Sequence, residues 1–358
     1  MTLLEHARGV ATLASAHRGA HEAAKQLSPE VVGALRETEL LAVLAPTELG
    51  GHQTAPVDYI DVLSALAAGD PATAWCVMTC STSTLLAPYF TPTAAEALWN
   101  GKRAPFIAGV FAPMGKLAED GTLRGRWSYT SGCRHADIIV VGALSGTRHV
   151  VCALPASAVT VIDNWDTLGL GGTGSHDVAI EAAIDPDRVT SVFERRPWST
   201  APLYRVPLFG LLAIGIAGCA LGIAEGSLAM LRAKLDDKAA SVMLAQYGEL
   251  HAMHAAARAY LRDVATSAYS RAAGSDAPLD AAMRGELRIA ATHVAVRCAD
   301  VVRGAFRLGG GASARRDSTL GASLRDIETL LTHRMIVDRV VPAAARAVVG
   351  IGTPPPDL

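Results

Sequence analysis

An uncharged apolar stretch from Val206 to Ala224 constrains the fold of this chain more than any other segment. It is long enough to cross a membrane as a helix, and Gly218 and Gly222 have the spacing found at close helix contacts. The stretch is isolated and rich in Gly and Ala, and its flanks lack the Lys and Arg asymmetry of a membrane span. A helix that is apolar on every side can also be buried on every side. We therefore expect the central helix of a soluble bundle and no membrane contact.

The composition limits the classes of protein to which the chain can belong. Half of the residues are hydrophobic and 18% are charged, which excludes a disordered chain. The net charge of −2 argues against a general nucleic-acid-binding protein, because neutralising phosphates requires a surplus of basic residues. The six cysteines are too few and too scattered for a disulfide scaffold. Cys76 and Cys80 have no second pair at zinc-finger spacing, so we expect no metal site. No signal peptide is visible, which favours a cytoplasmic location.

The pattern of apolar residues divides the chain into three parts. Residues 1–103 are typical of a helical domain with proline-marked helix starts. Residues 104–198 contain short β-rich runs separated by Gly, Asp and Pro, which predict a small antiparallel barrel or sandwich. Residues 199–358 predict an up-down four-helix bundle. Its four long helical segments are 203–234, 242–273, 279–308 and 323–348.

Four local motifs follow one another along the chain. They are Pro46–Gly51, Asp70–Trp75, Gly125–Gly132 and Leu168–Ser175. In this order, and within the three-part layout, they resemble the acyl-CoA dehydrogenase superfamily. The resemblance implies a mostly α fold with a central β-domain, and it implies that the last two motifs lie along a flavin.

The catalytic base of the common dehydrogenases is missing at both of its known positions. Those enzymes use a Glu to take the substrate α-proton while the flavin takes hydride. In most of them the Glu follows an Arg-Asp pair, which is Arg325-Asp326 here, but His333-Arg334 occupies the expected place. In a minority the Glu lies on the first bundle helix, near Leu212, where this chain has no acid.

Arg325-Asp326 followed by His333 resembles instead the two-component flavin-dependent monooxygenases of this superfamily, as does the segment Trp127–Ala136. These enzymes bind reduced FAD or FMN that a separate reductase supplies. Oxygen adds to flavin carbon C4a, and the resulting hydroperoxide oxidises a small organic substrate. The resemblance implies two catalytic residues: Ser131 as the hydrogen-bonding group near flavin N5, and His333 as the base or the donor to the peroxide.

The resemblance also implies a cofactor site and a substrate pocket. Two tryptophans would flank the flavin ring, hydroxyl groups would bond its oxygens, and a Gly-rich loop would touch flavin from a neighbouring subunit. The implied cofactor-binding residues are Trp127, Thr130, Ser131, Trp165, Thr173, Ser175, Gly309 and Gly310. The residues expected to line the substrate pocket are Cys76, Thr79, Ser83, Tyr129 and His333. Trp75 is expected to be a core anchor of the helical domain.

Several alternatives remain open at this level. A dehydrogenase acting on an acyl thioester of coenzyme A or of a carrier protein would need a base such as Glu48, Glu225 or Glu249. A non-catalytic paralogue that binds flavin or another ligand is the third possibility, because fold does not imply function. Among oxygenations, hydroxylation, N-oxidation and S-oxidation are equally open. The resemblance further implies a homo-oligomer, either a dimer or a homotetramer.

Overall fold

The computed structural model describes residues 1–102, 104–235, 240–353, 355 and 358. Helices α1 to α5 come first in the chain, and each later one starts at a proline. Their bounds are Leu3–Ala24, Pro29–Glu37, Pro56–Gly69, Pro71–Thr84 and Pro92–Trp99. Ser28 caps α2 through Val31 N–H, and Asp70 caps α4 through Thr73 N–H, so the predicted proline-marked helix starts are confirmed at Pro29 and Pro71.

The middle of the chain forms one seven-stranded sheet in the order β5-β6-β2-β1-β3-β4-β7. Strands β1 to β7 are Ile107–Leu117, Thr122–Trp127, Ile138–Ser145, Arg148–Pro155, Thr160–Ile162, Asp177–Ala183 and Val189–Thr190. The predicted all-antiparallel arrangement is wrong at one place, because β1 and β3 pair in parallel. Strand β2 and the segment 128–137 provide the long crossover that a parallel pair requires.

The last part is a bundle of long helices. Helices α6 to α10 are Leu208–Arg232, Ser241–Gly274, Ala281–Leu308, Thr319–Leu331 and Val341–Val348. The first three match the predicted segments, but the predicted fourth segment, 323–348, is not one helix. Helix α9 ends at Leu331, and Pro342 begins α10 because proline is compatible with a first helical turn and not with a helix interior. His333 therefore lies on a turn and not on a helix.

Helix α6 is the only helix among the described residues that is long and apolar enough to span a membrane, and it is buried inside the protein. Its glycines allow α3 to approach closely. A Cβ atom at Gly222 would lie 2.2 Å from the Ser64 carbonyl oxygen, and one at Gly218 would lie 3.4 Å from that of Ile60. The predicted core helix with a close helix contact is confirmed.

Candidate functional site

A tight turn at the end of β2 is bonded to the loop that precedes β6. Tyr129 and Gly132 in the turn have positive φ angles of 66° and 74°. The Gly132 N–H donates to the Thr173 carbonyl at 2.8 Å, and the Thr130 N–H donates to the His176 carbonyl at 3.0 Å. A positive φ at a tyrosine is costly, and such conformations concentrate at functional sites. The two flavin-side motifs of the sequence therefore form one structural unit.

Four buried side chains from this unit and from α4 form a continuous row of hydrogen bonds, here called the hydroxyl chain. The Trp75 indole N–H donates to Ser131 Oγ at 3.1 Å. Ser131 Oγ lies 2.7 Å from Ser175 Oγ, which lies 2.7 Å from Thr173 Oγ1. Thr173 Oγ1 donates to the Leu170 carbonyl at 2.8 Å. The structure thus brings together three of the predicted cofactor-binding residues and adds Trp75 to them.

His333 packs against the same indole. Its ring centroid is 5.5 Å from that of Trp75, in an edge-on arrangement with an interplanar angle of 70°. Its Nδ1 accepts the Met335 N–H at 3.3 Å, and Arg288 holds this turn by donating to the Met335 carbonyl at 3.0 Å. Trp75 is therefore in contact with both predicted catalytic residues.

The environment of His333 favours a neutral ring. Burial, together with the positive charges of Arg334 and Arg288, lowers its pKa to about 4. Because Nδ1 accepts a hydrogen bond, the hydrogen-bond pattern assigns the ring proton to Nε2. A neutral imidazole that carries its proton on Nε2 is a weak base and a good hydrogen-bond donor, so the geometry favours the donor role for His333.

The Arg325-Asp326 pair shapes the loop that carries Thr173 and Ser175. Asp326 Oδ1 accepts the Leu170 N–H at 2.6 Å, and its other oxygen pairs with Arg18 at 2.7 Å. Burial raises the pKa of Asp326, although Arg18 opposes this effect. The carbonyl of Arg325 leaves no room for a Cβ atom at Gly169, which would lie 2.2 Å from it. The Arg325-Asp326 pair therefore supports the loop. Arg325 also forms an ion pair with Glu22 at 3.3 Å.

The predicted aromatic and hydroxyl groups of the cofactor site have different surroundings. Trp165 is partly exposed, its indole donates to the Gly171 carbonyl at 3.1 Å, and the ring of Tyr129 meets it edge-on at 6.3 Å. Tyr129 itself is 72% exposed. Thr130 is fully buried and donates to the Trp127 carbonyl at 3.3 Å.

The expectation that Trp127 flanks the flavin needs correction. Its side chain is fully buried in the core of the sheet, where the indole donates to the Gly142 carbonyl at 2.7 Å. A Cβ atom at Gly115 would lie 2.2 Å from this ring, and one at Gly125 would lie 2.8 Å from it. The indole has no surface to offer a ligand here, so we no longer place Trp127 in the cofactor site.

The predicted pocket residues of α4 lie on successive turns of that helix. Thr79 is partly exposed, and its hydroxyl donates to the Trp75 and Cys76 carbonyls at 3.1 Å. Ser83 is buried and donates to the Thr79 carbonyl at 2.8 Å. Cys76 is fully buried, burial raises the pKa of its thiol, and its sulfur lies 3.8 Å from the Thr173 carbonyl. Cys76 thus packs behind the hydroxyl chain and has no surface to offer a substrate.

The Gly-rich loop and His333 lie at opposite ends of helix α9 in a single chain. Gly309 ends α8 and lies against Leu320 at the beginning of α9, whereas His333 follows the end of that helix. The 13 residues of α9 span roughly 20 Å. Gly310 is exposed and has a φ angle of 67°. The contact of this loop with a neighbouring subunit's flavin stays a prediction.

The carboxylates considered for a dehydrogenase have other partners. Glu225 pairs with Arg258 at 3.2 Å and accepts from Ser64 at 3.3 Å. It lies several turns further along α6 than Leu212. Glu48 is exposed beside Thr47, and Glu249 is exposed on α7. Leu212 is buried in the apolar part of α6. None of the three acids makes a contact with Ser131 or His333 among the interactions of the described residues.

Comparisons with known proteins agree with this architecture. The model of the family described as acyl-CoA dehydrogenase, C-terminal domain, matches residues 214–338. An indole-3-acetate monooxygenase of Pseudomonas putida is 27% identical over 344 residues, which are 90% of this chain and 87% of that protein. The flavin-dependent monooxygenase oxygenase subunit HsaA of Rhodococcus jostii is 26% identical over 57% of both chains.

The structure of XiaF from a Streptomyces species, solved in complex with FADH2 and glycerol, superposes with a TM-score of 0.89 at 22% identity. The match covers 97% of this chain and 94% of that one. The predicted fold is confirmed, and so is the predicted resemblance to the acyl-CoA dehydrogenase superfamily and to its flavin-dependent monooxygenases.

Proposed function

We propose that this chain is the oxygenase component of a two-component flavin-dependent monooxygenase. It takes reduced FAD or FMN from a separate reductase and uses molecular oxygen to oxidise a small organic substrate. The observation that carries this proposal is the position of Trp75, whose indole bonds Ser131 at 3.1 Å and packs against His333 at 5.5 Å. A buried serine from the β-region and a partly buried histidine from the bundle thereby share one site where a dehydrogenase would have a carboxylate.

The donor set of this site fits a reduced flavin. Ser131, Ser175 and Thr173 supply neutral hydroxyl groups, while Trp165 and the exposed Tyr129 supply aromatic surface beside them. A planar ring with polar edges needs this combination of apolar faces and a few placed hydrogen-bonding groups. Ser131, Trp165 and Tyr129 would contact the flavin, and Ser175 and Thr173 would hold Ser131 in place. The flavin, when bound, supplies the electrons that activate oxygen.

The chain's own residues have three tasks in this proposal. Ser131 binds and orients the polar edge of the flavin ring. His333 holds a proton on Nε2 as a hydrogen-bond donor, because burial lowers the pKa of its imidazole to about 4. Trp75 is only 7% exposed and excludes water between the two residues.

Aromatic heterocycles are the substrate class that we propose. The partly exposed Thr79 lies one turn of α4 after Trp75, the residue whose indole packs against His333. A small, mildly polar surface of this kind suits a compact aromatic molecule better than a flexible thioester. The relative from Pseudomonas putida, an indole-3-acetate monooxygenase, makes indole-3-acetate the first substrate to test.

A reconstituted assay tests the proposal. The protein is mixed with a flavin reductase, NADH, FAD or FMN, indole-3-acetate and 18O2, and products are analysed by mass spectrometry. We expect a product carrying one 18O atom that is absent when the chain is omitted. A panel of indoles and phenols that yields only hydrogen peroxide would overturn the proposal. Anaerobic bleaching of bound oxidised flavin by an acyl thioester would establish the dehydrogenase instead, and failure to bind either form of flavin would establish the non-catalytic paralogue.

The exposed position of Gly310 supports a homo-oligomer, because the Gly-rich loop and His333 lie at opposite ends of α9 in one chain. We propose that a dimer or a homotetramer brings this loop to a neighbouring flavin site. The buried position of α6 supports a cytoplasmic enzyme.

A further inference from the structure

The two ends of the hydroxyl chain have fixed hydrogen-bonding roles. The Trp75 indole nitrogen can only donate, because its lone pair belongs to the ring. The Leu170 carbonyl at the other end can only accept. Between them stand three hydroxyl groups, each with one proton and two acceptor positions. The direction of every bond in the chain is therefore determined by its ends.

The protons can be assigned from the Leu170 end. Thr173 donates its only hydroxyl proton to the Leu170 carbonyl at 2.8 Å, so its oxygen must accept from Ser175 at 2.7 Å. Ser175 has then used its proton and must accept from Ser131 at 2.7 Å. Ser131 has used its proton in turn, and one of its acceptor positions takes the Trp75 N–H at 3.1 Å.

Ser131 is left with one open position, and that position can only accept a hydrogen bond. The surroundings keep it so, because Ser131, Thr173 and Ser175 are each at most 5% exposed and solvent water has little access to reverse the chain. A partner for Ser131 must therefore bring its own proton.

We infer that Thr173 and Ser175 set the direction of the hydroxyl chain, so that Ser131, the residue that the family resemblance places near flavin N5, is fixed as a hydrogen-bond acceptor and favours reduced flavin over oxidised flavin. This inference rests on the proposed function. Reduced flavin carries a proton on N5 and can donate to Ser131, whereas N5 of oxidised flavin has only a lone pair and would face an oxygen that has no proton to give. Thr173 and Ser175 are positioning residues, because they act on the flavin through Ser131.

The substitution Thr173→Val tests the inference by removing the hydroxyl group that bonds the hydroxyl chain to the Leu170 carbonyl. Valine has nearly the shape of threonine and lacks the hydroxyl, so the proton of Ser175 can turn toward Ser131, and that of Ser131 toward N5. The Leu170 carbonyl keeps the Trp165 indole at 3.3 Å and the Thr173 N–H at 3.1 Å as donors, which limits the structural cost. Ser175→Ala also frees the Ser131 proton, because it removes the oxygen that accepts this proton.

The readout is the ratio of the dissociation constants of oxidised and reduced flavin, measured anaerobically by fluorescence or calorimetry. One neutral hydrogen bond is worth about fivefold in affinity. We expect the wild-type ratio to favour reduced flavin, and we expect Thr173→Val and Ser175→Ala each to lower the ratio about fivefold. Thr173→Ser keeps the hydroxyl and should retain the wild-type ratio.

Thr190→Val is the matched control. Thr190 is also buried, and its hydroxyl also donates to a carbonyl, that of Tyr89 at 2.6 Å. Thr190 is not part of the hydroxyl chain. Its substitution should leave the ratio unchanged. An equal ratio in wild type, Thr173→Val and Ser175→Ala, with both forms of flavin bound, would overturn this inference alone. Absence of binding of both forms to the wild type would overturn the proposed function as well.

Discussion

The carboxylate of Asp326 accepts the backbone N–H of Leu170 at 2.6 Å and thereby joins helix α9 to the loop that carries Thr173 and Ser175. Leu170 has a φ angle of 56°, a conformation that a leucine adopts only when its surroundings impose it. Since His333 follows the end of α9, a single helix supports both halves of the candidate site.

Removing the Asp326 carboxylate should loosen this loop. We expect Asp326→Ala to lower the free energy of unfolding by about 3 kcal/mol, because the substitution leaves the Arg18 charge and the Leu170 N–H without their partner. Denaturant titration measures this change. Flavin affinity should fall in the same variant, and an unchanged affinity would show that the loop does not need its support.

Replacing the indole of Trp75 by a phenyl ring should disturb Ser131 without removing the packing against His333. We expect Trp75→Phe to increase several-fold the hydrogen peroxide released per NADH consumed, because Ser131 loses the donor that fixes its position. The matched control is Trp99→Phe, since the buried Trp99 nitrogen has no hydrogen-bond partner among the described residues. Equal peroxide yields in the two variants would contradict the role assigned to Trp75.

The activity should not titrate with a histidine of ordinary pKa. Burial holds the pKa of His333 at about 4, so its ring stays neutral between pH 5.5 and 8. We expect His333→Asn to reduce product formation by about 10²-fold or more. The asparagine side chain is shorter, so its N–H group cannot donate from the position of the imidazole Nε2–H. In the wild type, single-turnover oxygenation should be flat over this pH range. An inflection near pH 6.5 that disappears in the variant would show that His333 acts as a base.

The same depressed pKa has a consequence for stability. A histidine that prefers the neutral form in the folded state binds its proton less readily than in the unfolded chain, so stability falls as the pH drops from about 6.5 toward 4. His135, with a pKa lowered to about 4 by burial, adds to this loss. We expect His333→Asn to make the decline shallower, by up to about 3 kcal/mol at pH 4. Parallel curves of unfolding free energy against pH for the wild type and His333→Asn would contradict the burial of this ring.

The close approach of α3 and α6 should depend on glycine. We expect Gly222→Ala to lower the free energy of unfolding by about 2 kcal/mol, because its methyl group would lie 2.2 Å from the Ser64 carbonyl oxygen. Gly248 on α7 is exposed and a Cβ atom there would meet nothing within 4 Å, so Gly248→Ala should raise stability by about 1 kcal/mol. Thermal unfolding of both variants measures the contrast.

The helix starts and the first three bundle helices could be predicted because their signals are local. Ser28-Pro29 and Asp70-Pro71 carry the capping oxygen and the fixed φ angle in adjacent residues.

The burial of Trp127 could also have been predicted from the sequence. Leu123, Gly125 and Trp127 alternate along β2 and so face the same side of the sheet.

The role of Trp75 could not be predicted from the sequence. Its bond to Ser131 joins residues 56 positions apart, and only the packing of α4 against the turn after β2 creates it. The turn at His333 was missed because the apolar pattern continues through Met335 and Ile336, which are buried although they are not helical. Tertiary contacts, including the Arg288 bond to the Met335 carbonyl, set this conformation.

A single turnover without any reductase tests the central claim most directly. The protein is loaded anaerobically with one equivalent of chemically reduced flavin and indole-3-acetate, and it is then mixed with 18O2. We expect a near-stoichiometric product containing one 18O atom, with little hydrogen peroxide. Stoichiometric hydrogen peroxide and unchanged substrate, repeated across a panel of compact aromatic heterocycles, would contradict the claim that Ser131, Trp75 and His333 form an oxygenating site.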